Sequence, residues 1–300
     1  MPSATKILID KITRSSIADG SYIIAGPPGT GKLNFSKKLI NQLIDPRDQL
    51  ANVVIISPQI EQKNKKIRPK EISVSQIRQA LEFMDLKSKP ESYMVCVIKK
   101  AERLNQSAAN ALLKSLEEPK KGNIFLIITE SEEKLLPTIR SRSFLIKIGL
   151  THPCKILKKL RLDSAPLDLT SQVALYSWGR PRIAKSLIKN PLKIKQLEKI
   201  KIQLDQIIQA PLWERFKLLE KESDNRRMLE KKIDFWLVYL TALLESSFCP
   251  ERFSFVHKNI KTGYNSTTIV KRVTVLLELR KQIKNTNIST KLALENAFLD

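Results

Sequence analysis

The sequence predicts an α/β domain followed by an all-α region, and three observations carry that reading. Over about the first 150 residues, short apolar runs alternate with amphipathic stretches, the pattern of a parallel sheet with helices on both faces. A glycine-rich turn joins the first apolar run to the amphipathic stretch that follows it. After Gly149 the strand-like runs stop and a lysine-rich helical periodicity takes over.

Taken in order, strands are expected at Ser21–Ala25, Val53–Ser57, Tyr93–Ile98, Ile124–Thr129 and Phe144–Ile148. The unbroken apolar runs YMVCVI and IFLIIT point to central strands covered on both faces, since a half-exposed strand would alternate. Between them, Leu33–Ile44 starts a helix after the glycine turn, and Val74–Leu86 follows Ser73, a capping residue type. Asn105–Leu116 sets Ala108, Leu112, Leu113 and Leu116 on one helical face.

Two helical units are expected beyond, which divides the chain into residues 1–150, 151–202 and 203–300. In the middle segment, GRPRIAKSLI uses Gly179 and Pro181 to turn the chain into a helix. In the last, IDFWLVYLTALLE is the most apolar helix, with Trp236, Leu237, Tyr239, Leu240 and Leu243 as either internal core or an oligomerisation face. KLALENAFL ends the chain, and CPERFSFVHKNIKTGYNSTT reads as a connection.

Composition narrows the function classes. The hydrophobic fraction of 42% is that of an ordinary globular chain. Cys96, Cys154 and Cys249 stand far apart, as do His152 and His257, so no metal site, no zinc module and no disulfide framework is expected. The opening MPSATKILIDKITRSS has no apolar core after its basic start, and no run approaches the roughly 18 apolar residues of a membrane span. A cytoplasmic protein without a membrane partner is expected. Against 30 Asp and Glu stand 53 Lys and Arg, a net charge of +23. Such a surplus favours a polyanionic partner such as nucleic acid, although dispersed lysines also serve simply as a solvated surface.

GPPGTGKL, Gly26 to Leu33, lies between a predicted strand and a predicted helix, the context that makes Gly26, Pro27, Pro28, Gly29, Thr30, Gly31 and Lys32 a phosphate loop. Its glycines let several backbone N–H groups converge on one anion, the helix start adds positive potential, and Lys32 reaches the terminal phosphates. The next position should carry a hydroxyl to ligate magnesium, and it is Leu33. A neighbouring strand should end in carboxylates for the metal and the attacking water, yet YMVCVI ends in Lys99 and Lys100. Two like charges about 4 Å apart oppose each other by about 4 kcal/mol at an effective dielectric near 20, so these lysines work against a cation. Glu102 lies past the strand end, too far along to replace the lost carboxylates. No cofactor is therefore required, and the retained loop allows only weak ATP or ADP binding without hydrolysis.

LNQSAANALLKSLEEP (Leu104–Pro119) and LPTIRSRS (Leu136–Ser143), in this order after the loop, resemble the matching segments of bacterial DNA polymerase III clamp-loader subunits of the AAA+ family. GRPRIA and NISTKLALENAFL are similar in kind to that family's lid and collar segments. The resemblance implies an AAA+ P-loop sheet domain, a small helical lid and a C-terminal helical collar. Within the family, Leu33, Lys99 and Lys100 select the delta-prime type, which has a degenerate ATP site and lends an arginine to its neighbour. The family's serine-arginine-cysteine motif reads Ser141, Arg142, Ser143 here, which makes Arg142 the match and Ser143 the departure. A structural alternative has Arg142 capping the preceding helix. The family's zinc module is absent between Asp45 and Asn52. Thr129 matches a polar sensor position; where the lid carries a sensing arginine this chain has Ile183, with Arg182 one residue earlier.

The resemblance implies a non-hydrolysing subunit of a hetero-oligomer. It would sit with gamma/tau and delta subunits, act on the sliding clamp and primer-template DNA through them, and serve the neighbour's ATP with Arg142. The alternatives are an active gamma/tau-like ATPase and a stand-alone basic nucleic-acid-binding protein with a vestigial loop.

Overall fold

The computed structural model describes residues 19–63, 66–86, 93–162, 167–220, 226–248, 265–285 and 289–298. The N-terminal segment, Cys249, His257 and most of the expected connection at 249–268 lie outside them. The chain divides into two compact units, residues 1–150 and 151–300.

In chain order the first unit contains strands β1 (Gly20–Ala25), β2 (Val53–Ile56), β3 (Ile60–Lys63), β4 (Lys66–Pro69), β5 (Met94–Lys99), β6 (Asn123–Thr129) and β7 (Phe144–Lys147). Interspersed are helices α1 (Lys32–Leu43), α2 (Gln49–Asn52), α3 (Val74–Asp85), α4 (Gln106–Glu117) and α5 (Pro137–Ser141). Five strands form one parallel sheet in the order β2-β5-β6-β1-β7. β6 is buried at every residue and β5 at all but Lys99, as their unbroken apolar runs require, and β1 between β6 and β7 is buried throughout as well.

The two-residue period of a strand sorts these side chains cleanly. Ile23 and Ala25, Cys96 and Ile98, and Phe125 and Ile127 point to one face, where Ile77 and Ala80 of α3 and Ala108 and Leu112 of α4 close the core. Tyr22 and Ile24, Val95 and Val97, and Leu126 and Ile128 point to the other, against Phe35, Leu39 and Ile40 of α1. Burial pushes the Cys96 thiol up to about 12, which leaves it a neutral apolar packing group.

Of the three expected helices, α3 and α4 start on side-chain caps, whereas α1 starts at Gly31 without one. Ser73 Oγ accepts the Gln76 N–H, and the Gln76 side chain accepts the Ser73 N–H in return. Asn105 Oδ1 accepts the Ala108 N–H at 2.8 Å. The antiparallel β3–β4 hairpin was not among the expected elements. Its sequences, IEQK and KIRP, offer charge and a proline instead of apolar alternation, and it pairs outside the main sheet.

The second unit is helical throughout its described residues: α6 (Pro153–Leu162), α7 (Leu167–Ser177), α8 (Pro181–Lys189), α9 (Pro191–Gln209), α10 (Leu212–Glu220), α11 (Arg226–Phe248), α12 (Ser266–Asn285) and α13 (Thr290–Phe298). The GRPR turn follows its sequence logic, with Trp178 and Gly179 at left-handed φ of 43° and 63° and Pro181 opening α8. One hydrophobic cluster joins Val173, Leu204, Trp236, Tyr239, Leu276 and Leu294. The expected division between residues 202 and 203 falls within α9, which runs through it unbroken. Trp236, Leu237, Tyr239, Leu240 and Leu243 all face this cluster, and Trp236 Nε1 donates to the Ile200 carbonyl at 3.3 Å. That apolar stretch is core. Among the described residues no helix is long and apolar enough to cross a membrane, and no group of three or more His, Cys, Asp or Glu gathers as a metal site.

Candidate functional site

The loop between β1 and α1 is built by its glycines. Gly26 has φ of 154°, and a Cβ there would stand 2.1 Å from the carbonyl oxygen of Ile148, which lies just past β7. Only glycine lets the chain pass. Gly31, at φ of 101°, turns the backbone into α1 and accepts the Phe35 N–H at 2.9 Å. The start of a three-turn helix thus faces the loop, with the N–H potential that suits an anion.

Lys32 is folded back into this loop. Its Nζ donates to the Gly26 carbonyl and, at 2.9 Å, to that of Pro27, while Thr30 Oγ1 donates to Pro27 as well. Desolvation lowers the Lys32 pKa, and the charges of Glu130 and Glu102 partly oppose that effect. The turn Ala101–Arg103 reverses the chain after β5, so Glu102 comes within electrostatic reach of Lys32 although it lies beyond the strand. Glu102 thus lies past the end of β5, as the sequence reading has it, and its charge still reaches Lys32. Glu130, next to Thr129, was missed; its position at the C-terminal end of a parallel strand, where ligands of such sheets gather, was the available signal. A cavity of about 350 Å³ is lined by Glu71, Lys100, Glu102, Arg103, Leu104, Glu130 and Lys134.

The metal positions offer no oxygen. Leu33 packs part-buried against the α1 side of the core. The next hydroxyl on the helix, Ser36, is fully buried and bonded to the Lys32 carbonyl at 3.2 Å. Lys99 ends β5, paired with Ile128, and Lys100 is exposed at a left-handed φ of 53°. One expectation needs correcting: β5 does not neighbour the loop strand, because β6 lies between them. The residue beside Ala25 is Thr129, whose hydroxyl donates to Ser131 O at 2.9 Å and accepts its N–H at 3.3 Å. Arg182 is exposed on α8 in the second unit, and Ile183 packs against that unit's core.

Arg142 stands at the opposite end of the strands, just before β7. Its carbonyl accepts a 2.6 Å hydrogen bond from Ser21 Oγ at the start of β1, whereas the loop leaves the end of β1 after Ala25. At about 3.3 Å per residue, these two ends of β1 are on the order of 13 Å apart. The guanidinium caps α5: Nη1 donates to the Thr138 carbonyl at 3.1 Å and to Ser141 Oγ at 3.2 Å. Nη2 meets Glu117 Oε1, in the last turn of α4, at 2.7 Å. The Ser143 hydroxyl is buried with no hydrogen-bond partner among the described residues. Glu117 lies within the LNQSAANALLKSLEEP segment, where no spacing signal marks it as a partner for Arg142.

A phosphate loop leaving the second-from-edge strand of a five-stranded parallel sheet, fused to a helical unit, defines an AAA+-type P-loop protein. The fold is shared with a gamma-subunit-related DNA polymerase III protein of Thermotoga maritima, with a TM-score of 0.50 at 20% identity over 98% of this chain and 97% of that one. Residues 2–151 match the family described as DNA polymerase III, delta subunit, and the chain belongs to that family. It is 28% identical to DNA polymerase III subunit delta′ of Pseudomonas aeruginosa over 211 residues, 65% of this chain and 64% of that protein. It is 34% identical to the Haemophilus influenzae subunit delta′ over 119 residues, 39% of this chain and 36% of the relative. The matches thus span less than two thirds of these relatives' lengths.

Proposed function

We propose that this chain is a delta-prime-type subunit of a bacterial DNA polymerase III clamp loader. It does not hydrolyse ATP at its own loop, and it supplies Arg142 to the ATP held by a neighbouring gamma/tau subunit while a sliding clamp is loaded onto primer-template DNA. The observation that carries this reading is a separation along the strands: the loop lies at the C-terminal end of β1 and Arg142 beside its N-terminal end, so the arginine serves a phosphate outside its own chain. Three features support the loss of hydrolysis. Leu33 packs against the core, the nearest helix hydroxyl is spent on Lys32, and β5 ends in Lys99 with Lys100 next along the chain.

A guanidinium suits the trans role because it stays charged and can donate two parallel hydrogen bonds as charge develops on the transferred phosphoryl. Residues 151–202 would act as lid and 203–300 as collar in a hetero-oligomer that also holds a delta subunit. In the reconstituted complex, Arg142→Ala is expected to cut DNA-stimulated ATP hydrolysis at least about tenfold, a conservative share of the usual finger effect. An unchanged rate would remove the role.

A further inference from the structure

Both terminal nitrogens of Arg142 are already engaged within the chain. Nη2 is taken by Glu117 at 2.7 Å, and Nη1 by the Thr138 carbonyl and Ser141 Oγ. A guanidinium grips a phosphate by presenting two N–H groups side by side. In this conformation that fork is spent on acceptors of its own chain.

Glu117 is itself in an unfavourable local setting. It closes α4, where the helix presents its negative end, and Glu118 follows directly. A carboxylate there is disfavoured by the helix it belongs to, and Arg142 offsets that cost alongside Lys114 of the same turn. Resting on the trans-arginine reading above, we propose that Glu117 is a positioning residue that latches Arg142, holding it folded back until the terminal phosphate of the neighbour's ATP draws it away. A carboxylate offers one negative charge and a triphosphate terminus offers more, so the exchange runs toward the nucleotide. The pair is also suited to release, since its side chains are 35% and 46% exposed. Solvent holds such a pair to a few-fold bias, which a phosphate can reverse.

The test is a titration of ATP in the reconstituted complex, with gamma/tau and delta subunits, comparing the parent chain, Glu117→Gln, Arg142→Ala and the double variant. Glutamine keeps the shape of the side chain and relieves the charge at the helix end, so α4 is not expected to suffer. Glu117→Gln should lower the half-saturating ATP concentration roughly two- to fivefold, the worth of an exposed ion pair. With Arg142→Ala in place the same substitution should change nothing, an outcome that a general effect on folding would not give. A half-saturation point unchanged or raised by Glu117→Gln, or a shift that persists without Arg142, overturns the latch while leaving the trans arginine standing. If Arg142→Ala leaves turnover intact, the trans-arginine reading falls and the latch falls with it.

Discussion

Ser143 is where this chain departs from the family's cysteine, and its surroundings say what the departure costs. A thiol tolerates burial without a hydrogen bond; a hydroxyl left unpaired in the interior costs on the order of 1–3 kcal/mol. The Ser143 Oγ is in that position. Ser143→Ala should therefore raise the unfolding free energy by about 1 kcal/mol, read from the midpoint of urea denaturation at constant slope. A fall instead would mean that the hydroxyl is bonded. Arg142, one residue earlier, illustrates two readings of one side chain that coexist: it caps α5 through Thr138 and also carries the only guanidinium that the motif singles out. Under the proposed function, capping and donation would be successive uses of the same nitrogens.

Among the elements, α3 isolates the worth of a terminus. Ser73 and Gln76 satisfy one another's backbone donors before the apolar face of Ile77, Ala80 and Met84 meets the sheet. Ser73→Ala should lower stability by about 0.5–2 kcal/mol, measured by thermal or urea unfolding, and a null result would mean that the sheet alone holds the helix start. The cap was readable because its signal is local, and so were the five strands, although the apolar runs of β2 and β7 leave Ile55, Phe144 and Leu145 exposed. Lateral order was not. The chain says that β5 precedes β6, but only the packed sheet inserts β6 between β5 and the loop strand. The β3–β4 hairpin was invisible for the opposite reason: its pairing is backbone-driven and its residues carry no alternation. Glu117 and Arg142 meet through the ends of two different helices, a pairing that no single-helix spacing encodes.

For the molecule as a whole, the metal-ligand deficits act together. Incubated alone with ATP and magnesium, the chain should release no phosphate above background, and Leu33→Thr should not rescue it, because Lys99 and Lys100 remain. Brisk turnover by the isolated chain would identify an active motor instead. The charge of +23 belongs at this scale too, since it favours a polyanionic partner without saying which lysines would meet it.

Under the proposed function, the two ends of β1 have a consequence for assembly. A body with a socket on one rim and a plug on the other joins its fellows head to tail, and every joint in such a row points the same way. When one member's socket is inert, a plug inserted there fires nothing, while its own plug still completes the joint on its other flank. Such a member is a terminus: it closes a run of working joints at one end and gives the row its direction.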